Sequence, residues 1–185
     1  HSPVRFRFRD QLRGDTADTL QSLKKRGYVI ELLSGDRADA VAHVADKLGI
    51  ETWRAAQTPT DKTAYLEELR EAGRKTCMVG DGLNDAPALA AASVSMSPAT
   101  AVDISQITAD IICQGDRLSG VALAADTARR AQRLIRQNFA LAFGYNLLTV
   151  PLAMAGLVTP LIAAIAMSAS SIAVVLNALR LGWGR

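Results

Sequence analysis

The sequence predicts an α/β fold, a parallel sheet with flanking helices, followed by a transmembrane helical hairpin. Three observations carry this. Short apolar runs alternate with helix-length segments through the first part of the chain, which argues for a parallel sheet with helices on both faces. Gly80-Asp81-Gly82-Leu83-Asn84-Asp85 puts two carboxylates at a glycine-tightened turn between an apolar run and an Ala-rich segment. From Asn138 to Leu179 no residue is charged, a stretch long enough for two membrane spans.

The elements follow in order. Val4-Arg5-Phe6-Arg7-Phe8 alternates basic and apolar residues, as a strand with one wet face does. Asp15 is placed to cap a helix that runs to about Arg26, with Leu20 and Leu23 inward and Gly27 as its stop. Tyr28–Leu33 is the next strand, apolar except for Glu31, and Ser34-Gly35-Asp36 ends it. A helix over Arg37–Leu48 carries Val41, Val44, Ala45 and Leu48 on one face. A short strand is expected over Thr52–Ala55. Thr58-Pro59-Thr60-Asp61-Lys62 then opens a helix to about Ala72, with Pro59 in its first turn. Thr76–Val79 reads as a buried strand and Ala86–Ala92 as the helix after the central turn. Val94–Met96 and Ile111–Cys113 are further short strands.

The bulk numbers limit the classes. With 185 residues the chain holds one domain plus an appendage, and a net charge of +3 makes no case for nucleic acid. Cys77 and Cys113 sit singly in apolar runs, with neither CxxC nor a disulfide framework, which fits a reducing compartment for the soluble part. The chain opens on His1 with no signal peptide at its front, so it reads as a fragment.

Several polar residues fall at strand ends or helix starts. Ser34 and Asp81 each follow a strand, and Lys62 opens a helix between them. In an open α/β sheet, ligands bind beyond the carboxyl ends of the strands. A hydroxyl donor, a cation and a carboxylate suited to magnesium are what phosphoryl transfer needs, because positioning and charge neutralisation do most of the work there. Taken singly, Ser34-Gly35-Asp36 also fits a turn with a helix cap, Lys62 a solvated helix lysine, and Asp10 an ordinary turn acid.

Together these strings resemble the second half of the phosphorylation domain of a P-type ATPase, in the haloacid-dehalogenase superfamily. Gly80–Asp85 matches the family's GDGxND motif. Ser34-Gly35-Asp36 is similar to its TGD, with Ser keeping the hydroxyl, and Asp10-Gln11-Leu12-Arg13 to its DPPR element with both prolines replaced. The resemblance implies that Ser34, Gly35, Asp36 and Lys62 handle the phosphoryl group. It makes Asp81 a magnesium ligand with Asn84 and Asp85 in support, and it gives Asp10 and Arg13 a place beside them. The family's nucleophilic aspartate, in Asp-Lys-Thr-Gly, does not occur here; Asp61-Lys62-Thr63-Ala64 sits in the lysine motif. The nucleotide-binding domain is missing as well. The chain alone is therefore expected to be inactive, forming no aspartyl-phosphate.

The second part begins with a helix over Leu118–Gln137, rich in arginine at its far end, where Arg129, Arg130, Arg133 and Arg136 lie. It reads as a surface helix or as a stalk. Phe139–Val158 and Pro160–Leu181 are the expected spans, turning at Gly156, Thr159 and Pro160. Arg136 before them and Arg180 and Arg185 after them put both ends in the cytoplasm. Polar residues in the spans are few. Tyr145, Asn146 and Pro151 lie in the first; Met167, Ser170, Ser171 and Asn177 lie on one face of the second. Ser and Asn also serve as packing between spans, and Met as filler.

Tyr145-Asn146-x4-Pro151 and Met167-x2-Ser170-Ser171-x5-Asn177 resemble the last two spans of copper-exporting heavy-metal P-type ATPases. Thioether and neutral oxygen donors suit Cu(I). Zinc would favour a carboxylate, which costs roughly 2.5–3.5 kcal/mol to place mid-span, and the spans have none. The resemblance divides the chain into a partial phosphorylation domain (1–117), a stalk helix (118–137) and two transmembrane helices (138–182). It implies an ATP-driven pump exporting Cu(I) through an aspartyl-phosphate, in a bacterial inner membrane. Mg2+ and ATP would be the cofactors; ATP, the metal ion, membrane lipid and a copper chaperone would be the partners. Tyr145, Asn146, Met167, Ser170 and Ser171 would line the metal path. The alternatives are a zinc/cadmium-type pump, a membrane-tethered phosphatase using Asp10, and a non-catalytic metal-binding module.

Overall fold

The computed structural model describes residues 12–81, 83–100, 103–115 and 117–182. The expected strand at Val4–Phe8 lies outside those residues, as do Asp10, Gly82 and Arg185. In chain order the elements are α1 (Thr16–Lys25), β1 (Glu31–Leu33), α2 (Ala38–Leu48), β2 (Thr52–Arg54), α3 (Pro59–Glu71) and β3 (Cys77–Val79). A single 3-10 turn, Leu83–Asp85, precedes α4 (Ala86–Ala91). Then come β4 (Val94–Pro98), α5 (Asp103–Thr108), β5 (Ile111–Cys113), α6 (Ser119–Met154) and α7 (Pro160–Leu179). The chain divides into two units, residues 1–122 and 123–185.

In the first unit every strand pairing is parallel, as the alternation predicts. The described strands nevertheless form two ladders rather than one sheet. β1 pairs with β2, Glu31 opposite Thr52. β4 lies between β3 and β5, with Val79 opposite Met96 and Met96 opposite Ile111. Most of these strands have three residues, so each ladder has few hydrogen bonds and leans on its helices. The strand expected over Tyr28–Leu33 is shorter, beginning at Glu31. β3 is also less buried than its apolar run predicts, with Cys77 exposed and Val79 39% exposed. An apolar run reports chemistry, and burial depends on what packs over it.

The core lies between helices and strands. Leu23, Val41, Ala45, Ile50, Tyr65, Leu66, Ala88, Leu89 and Met96 are buried. On α2 the predicted face is present, Val41 and Ala45 buried and Val44 and Leu48 half-buried. Helix α5 has no counterpart among the sequence expectations.

Two helix starts position the site. At α3, Pro59 occupies the first turn and Thr58 and Asp61 form a capping box. The Asp61 amide donates to Thr58 Oγ1 at 3.2 Å, and the Thr58 amide donates to Asp61 Oδ2 at 2.9 Å. The Thr58 hydroxyl and amide together hold the Asp61 carboxyl below its ordinary value. At α1, Asp15 stands in the cap position but makes no side-chain bond to that helix. Its carboxylate instead accepts from the Leu118 and Ser119 amides, at 3.2 and 2.8 Å, where α6 begins.

The segments expected as stalk and first span form one continuous 36-residue helix that includes Pro151. It ends at Met154, short of the expected Val158. Gly156 takes a positive φ of 75°, which a glycine adopts without strain, and so breaks the chain before α7. Thr159 caps α7, accepting from the Ile162 amide, and Pro160 opens it. Among the described residues α7 alone is long and apolar enough to cross a membrane by length and composition, with mean hydropathy 2.0. The apolar half of α6 carries Asn146, Thr149 and Pro151, which lower its hydropathy. The two helices are joined by an amide pair, Asn177 Nδ2 donating to Asn138 Oδ1 at 2.8 Å.

Ala56, between β2 and α3, has φ 52°, in the left-handed region. Two tight bonds hold it there: its amide donates to the Asp36 carbonyl (2.8 Å) and the Gln57 amide to the Ser34 carbonyl (3.0 Å). That conformation costs an L-residue about 1–2 kcal/mol. Ala56→Gly removes the strain and adds chain entropy to the unfolded state, for an expected net gain of about 0.5–1 kcal/mol. Urea unfolding followed by circular dichroism measures this; a lower midpoint would show that the backbone there is unstrained.

Candidate functional site

The turn after β3 is organised by a close approach. A side-chain carbon at Gly80 would lie 2.8 Å from Asp85 Cβ and 3.0 Å from Asp85 Oδ2. Only glycine lets the Asp85 side chain fold back against the strand end. Asp85 is at the start of α4 yet makes no side-chain cap there. Its Oδ1 accepts from Lys62 Nζ at 2.7 Å, with 11% and 16% of the two side chains exposed. The capped first turn of α3 delivers Lys62 to this place. A lysine so buried needs a partner, because an unpaired buried ammonium would shed its proton. Lys62 is thus no solvated helix lysine.

Asp81, at the end of the same strand, has a different partner. Arg13 Nη2 reaches Asp81 Oδ2 at 3.3 Å, and the Asp81 side chain is 60% exposed. The two carboxylates of the central motif thus meet different cations, Asp85 meeting Lys62 and Asp81 meeting Arg13. An exposed carboxylate with one oxygen engaged is a hard oxygen donor of the kind magnesium takes, usually one or two at a time with water completing the shell. Asp81 fits that role. Asp85, held by Lys62, fits a supporting role, and Asn84 is exposed on the turn beside them.

Ser34 closes β1. Its hydroxyl donates to Asp36 Oδ2 at 2.8 Å and accepts from the Asp36 amide at 3.2 Å. Gly35 sits close under Gln57, whose carbonyl lies 3.4 Å from where a side chain would begin. Ser34-Gly35-Asp36 is thus a self-bonded turn, and its hydrogen bonds do not join it to Lys62 or Asp81. Asp10 lies outside the described residues.

Beside this turn is a feature the sequence reading missed. Glu31 of β1 accepts from the Tyr65 hydroxyl at 2.7 Å and pairs with Arg74 at 3.5 Å. Arg54 stacks 3.8 Å above the Tyr65 ring. The hydrogen bond to Glu31 raises the Tyr65 hydroxyl above its ordinary range. Glu31 as the lone acid in an apolar run was the available signal. Its partners lie 34 and 43 residues on, at no pattern-forming spacing.

In the second unit the hydrogen bonds of Asn146 and Ser170 run within their own helices. Asn146 Nδ2 donates to the Ala142 carbonyl at 3.0 Å, and Ser170 Oγ to the Met167 carbonyl at 2.8 Å. The Tyr145 carbonyl accepts from Thr149. Met167 is 63% exposed, and no group of three or more His, Cys, Asp or Glu suited to a metal occurs among the described residues.

Comparison with known proteins gives a consistent answer. The family described as haloacid dehalogenase-like hydrolase matches residues 4–93. Nitrogen fixation protein FixI of Bradyrhizobium diazoefficiens is 56% identical over 172 residues, 93% of this chain and 24% of that protein. A copper-exporting P-type ATPase of Mycobacterium leprae is 42% identical over 93% of this chain and 22% of its own length. The chain thus spans about a quarter of the length of the curated relatives it matches. A crystal structure of a zinc-transporting PIB-type ATPase in its E2.Pi state superposes with TM-score 0.85 at 31% identity, covering 93% of this chain and 28% of that one. With the fold, the central motif and these likenesses in agreement, the chain belongs to the heavy-metal P-type ATPases, and its first part is a haloacid dehalogenase-like domain.

Proposed function

We propose that this chain is the phosphoryl-handling and C-terminal membrane portion of an ATP-driven heavy-metal cation pump, most specifically a Cu(I) exporter. The observation that carries the catalytic half is the buried Lys62–Asp85 pair packed against Gly80, with Asp81 open beside it. An ammonium has three donors. One is engaged by Asp85, which leaves two to meet phosphoryl oxygens from a position fixed before the substrate arrives. The Ser34 hydroxyl has one donor, now directed to Asp36, so it must rotate to reach a phosphoryl oxygen. Asp81 would hold magnesium, which supplies charge neutralisation to the transferring group. Asp85 acts through Lys62 as well as beside Asp81.

The nucleophile is not in this sequence, because no Asp-Lys-Thr-Gly occurs in it. On this reading the aspartyl-phosphate step and ATP binding would be carried by residues outside this sequence. Cu(I) as cargo is supported by the thioether of Met167, by neutral oxygens at Tyr145, Asn146, Ser170 and Ser171, and by the absence of any carboxylate from Asn138 to Leu179. The copper-exporting relative points the same way, while the zinc-transporting neighbour supports the coarser reading of a heavy-metal pump. α7 and the apolar half of α6 would cross a bacterial inner membrane with both ends in the cytoplasm, in contact with lipid. A copper chaperone would deliver the ion.

In the complete protein carrying this chain, Asp81→Ala should abolish phosphoenzyme formation from radiolabelled ATP, and Lys62→Met should lower it at least about tenfold. Normal phosphoenzyme in Asp81→Ala would remove Asp81 as the magnesium ligand. For the cargo, Met167→Leu keeps the volume and loses the thioether. It should weaken Cu(I) binding to the membrane part by about tenfold or more, read by competition with a chromogenic Cu(I) chelator. Unchanged affinity and stoichiometry would leave Met167 as packing.

A further inference from the structure

The start of α6 is held in an unusual way. A helix leaves its first amides without partners, and a local Ser, Thr, Asp or Asn usually supplies an acceptor. Here Leu118 precedes Ser119 and has no acceptor to offer. The acceptor comes instead from Asp15, 103 and 104 residues earlier in the chain, through bonds of 3.2 and 2.8 Å to the Leu118 and Ser119 amides. The Ser119 amide, the larger influence, holds the Asp15 carboxyl below its ordinary value, and the positive end of the helix dipole acts in the same sense. The same turn is pinned from a second side. A side-chain carbon at Gly120 would stand 3.2 Å from Cys113 Cβ and Sγ, so α6 begins in close contact with β5.

Two residues before Asp15 is Arg13, whose guanidinium holds Asp81 at 3.3 Å. The segment between them is short and folded into a turn. Three residues reach about 10 Å at most. Its carbonyls are engaged too, Arg13 accepting from the Thr16 amide and Asp15 from the Thr19 amide, each at 3.0 Å. The contact with Asp81 and the contact with α6 thus lie two residues apart in the chain.

We propose that Arg13-Gly14-Asp15 is a coupling strap, with Asp15 a positioning residue that ties the first turn of α6 to the Arg13–Asp81 pair. It rests on the pump reading above for its purpose, and on the bonds themselves for its existence. α6 continues without a break into the apolar stretch that carries Tyr145 and Asn146. The strap thus gives the Asp81 site a mechanical route to the helix that holds Tyr145 and Asn146. Occupancy of Asp81 by a magnesium ion would compete with the Arg13 guanidinium for Oδ2 and so change the tension on the strap.

The test has two arms, both on the complete protein carrying this chain. Amide hydrogen exchange at Leu118 and Ser119 reads the strap directly. Asp15→Ala should speed exchange there by about tenfold or more, whereas Asp15→Asn, which keeps one acceptor oxygen, should recover part of the protection. Adding magnesium with beryllium fluoride, a phosphoryl mimic, should alter exchange at these two amides in the unsubstituted protein and leave it unaltered in Asp15→Ala. In the second arm, Asp15→Ala should keep phosphoenzyme formation from ATP within about twofold while metal-stimulated turnover falls about tenfold, again with partial rescue by Asn. Equal loss of both activities, or of neither, would overturn the strap as a coupling element. If the unsubstituted protein forms no phosphoenzyme, the pump reading falls. The exchange arm still decides the strap, since no change at Leu118 and Ser119 in Asp15→Ala overturns it on its own.

Discussion

The Lys62–Asp85 ion pair is the constraint on which the rest of the site depends. Taking an ammonium and a carboxylate out of water costs several kcal/mol each, and their attraction offsets this only with close geometry. Three separate devices produce that geometry. The Thr58–Asp61 box and Pro59 start α3 so that Lys62 lies in its first turn. The 3-10 turn at Leu83–Asp85 swings Asp85 back toward the strand. Gly80 leaves the space that Asp85 occupies. Removing any of the three would separate the charges while leaving at least one of them buried.

The same pair explains why Asp81 is free to do something else. With Asp85 engaged by a buried lysine, the net charge at the turn falls, and Asp81 faces solvent beside the Arg13 guanidinium. Under the proposed function, a site that takes a metal ion and a multiply charged phosphoryl group would gain from this division. The lysine is fixed and ready, and the carboxylate is accessible.

Much of this was legible in the sequence, for identifiable reasons. Gly80–Asp85, Ser34–Asp36 and Lys62 are local strings, and local strings fix strand ends and helix starts through turn chemistry and capping. The α2 face at Val41 and Ala45 followed from period alone. What was illegible involves pairs far apart in the chain. Asp15 was read as the cap of its own helix, because a cap is normally local, and its true partners are more than 100 residues away. The split of the strands into two ladders, the exposure of Cys77, and the Glu31–Tyr65–Arg54 cluster also depend on tertiary packing. The continuity of α6 across the segments expected as stalk and first span was missed because a change in composition from arginine-rich to apolar need not end a helix. In the second unit the hydrogen bonds of Asn146 and Ser170 run within their helices, and the interhelix amide pair at Asn138 and Asn177 joins residues that no short motif connects.

The most direct measurement of the central claim is a double-mutant cycle on Lys62 and Asp85, with Lys62→Met, Asp85→Asn and the pair, followed by urea unfolding of the protein carrying this chain. If the pair holds the turn, each single change strands a buried group, and the double change costs less than the sum by about 1–3 kcal/mol. Additivity within about 0.5 kcal/mol would mean that the two side chains do not depend on each other, and the turn would need another organising contact.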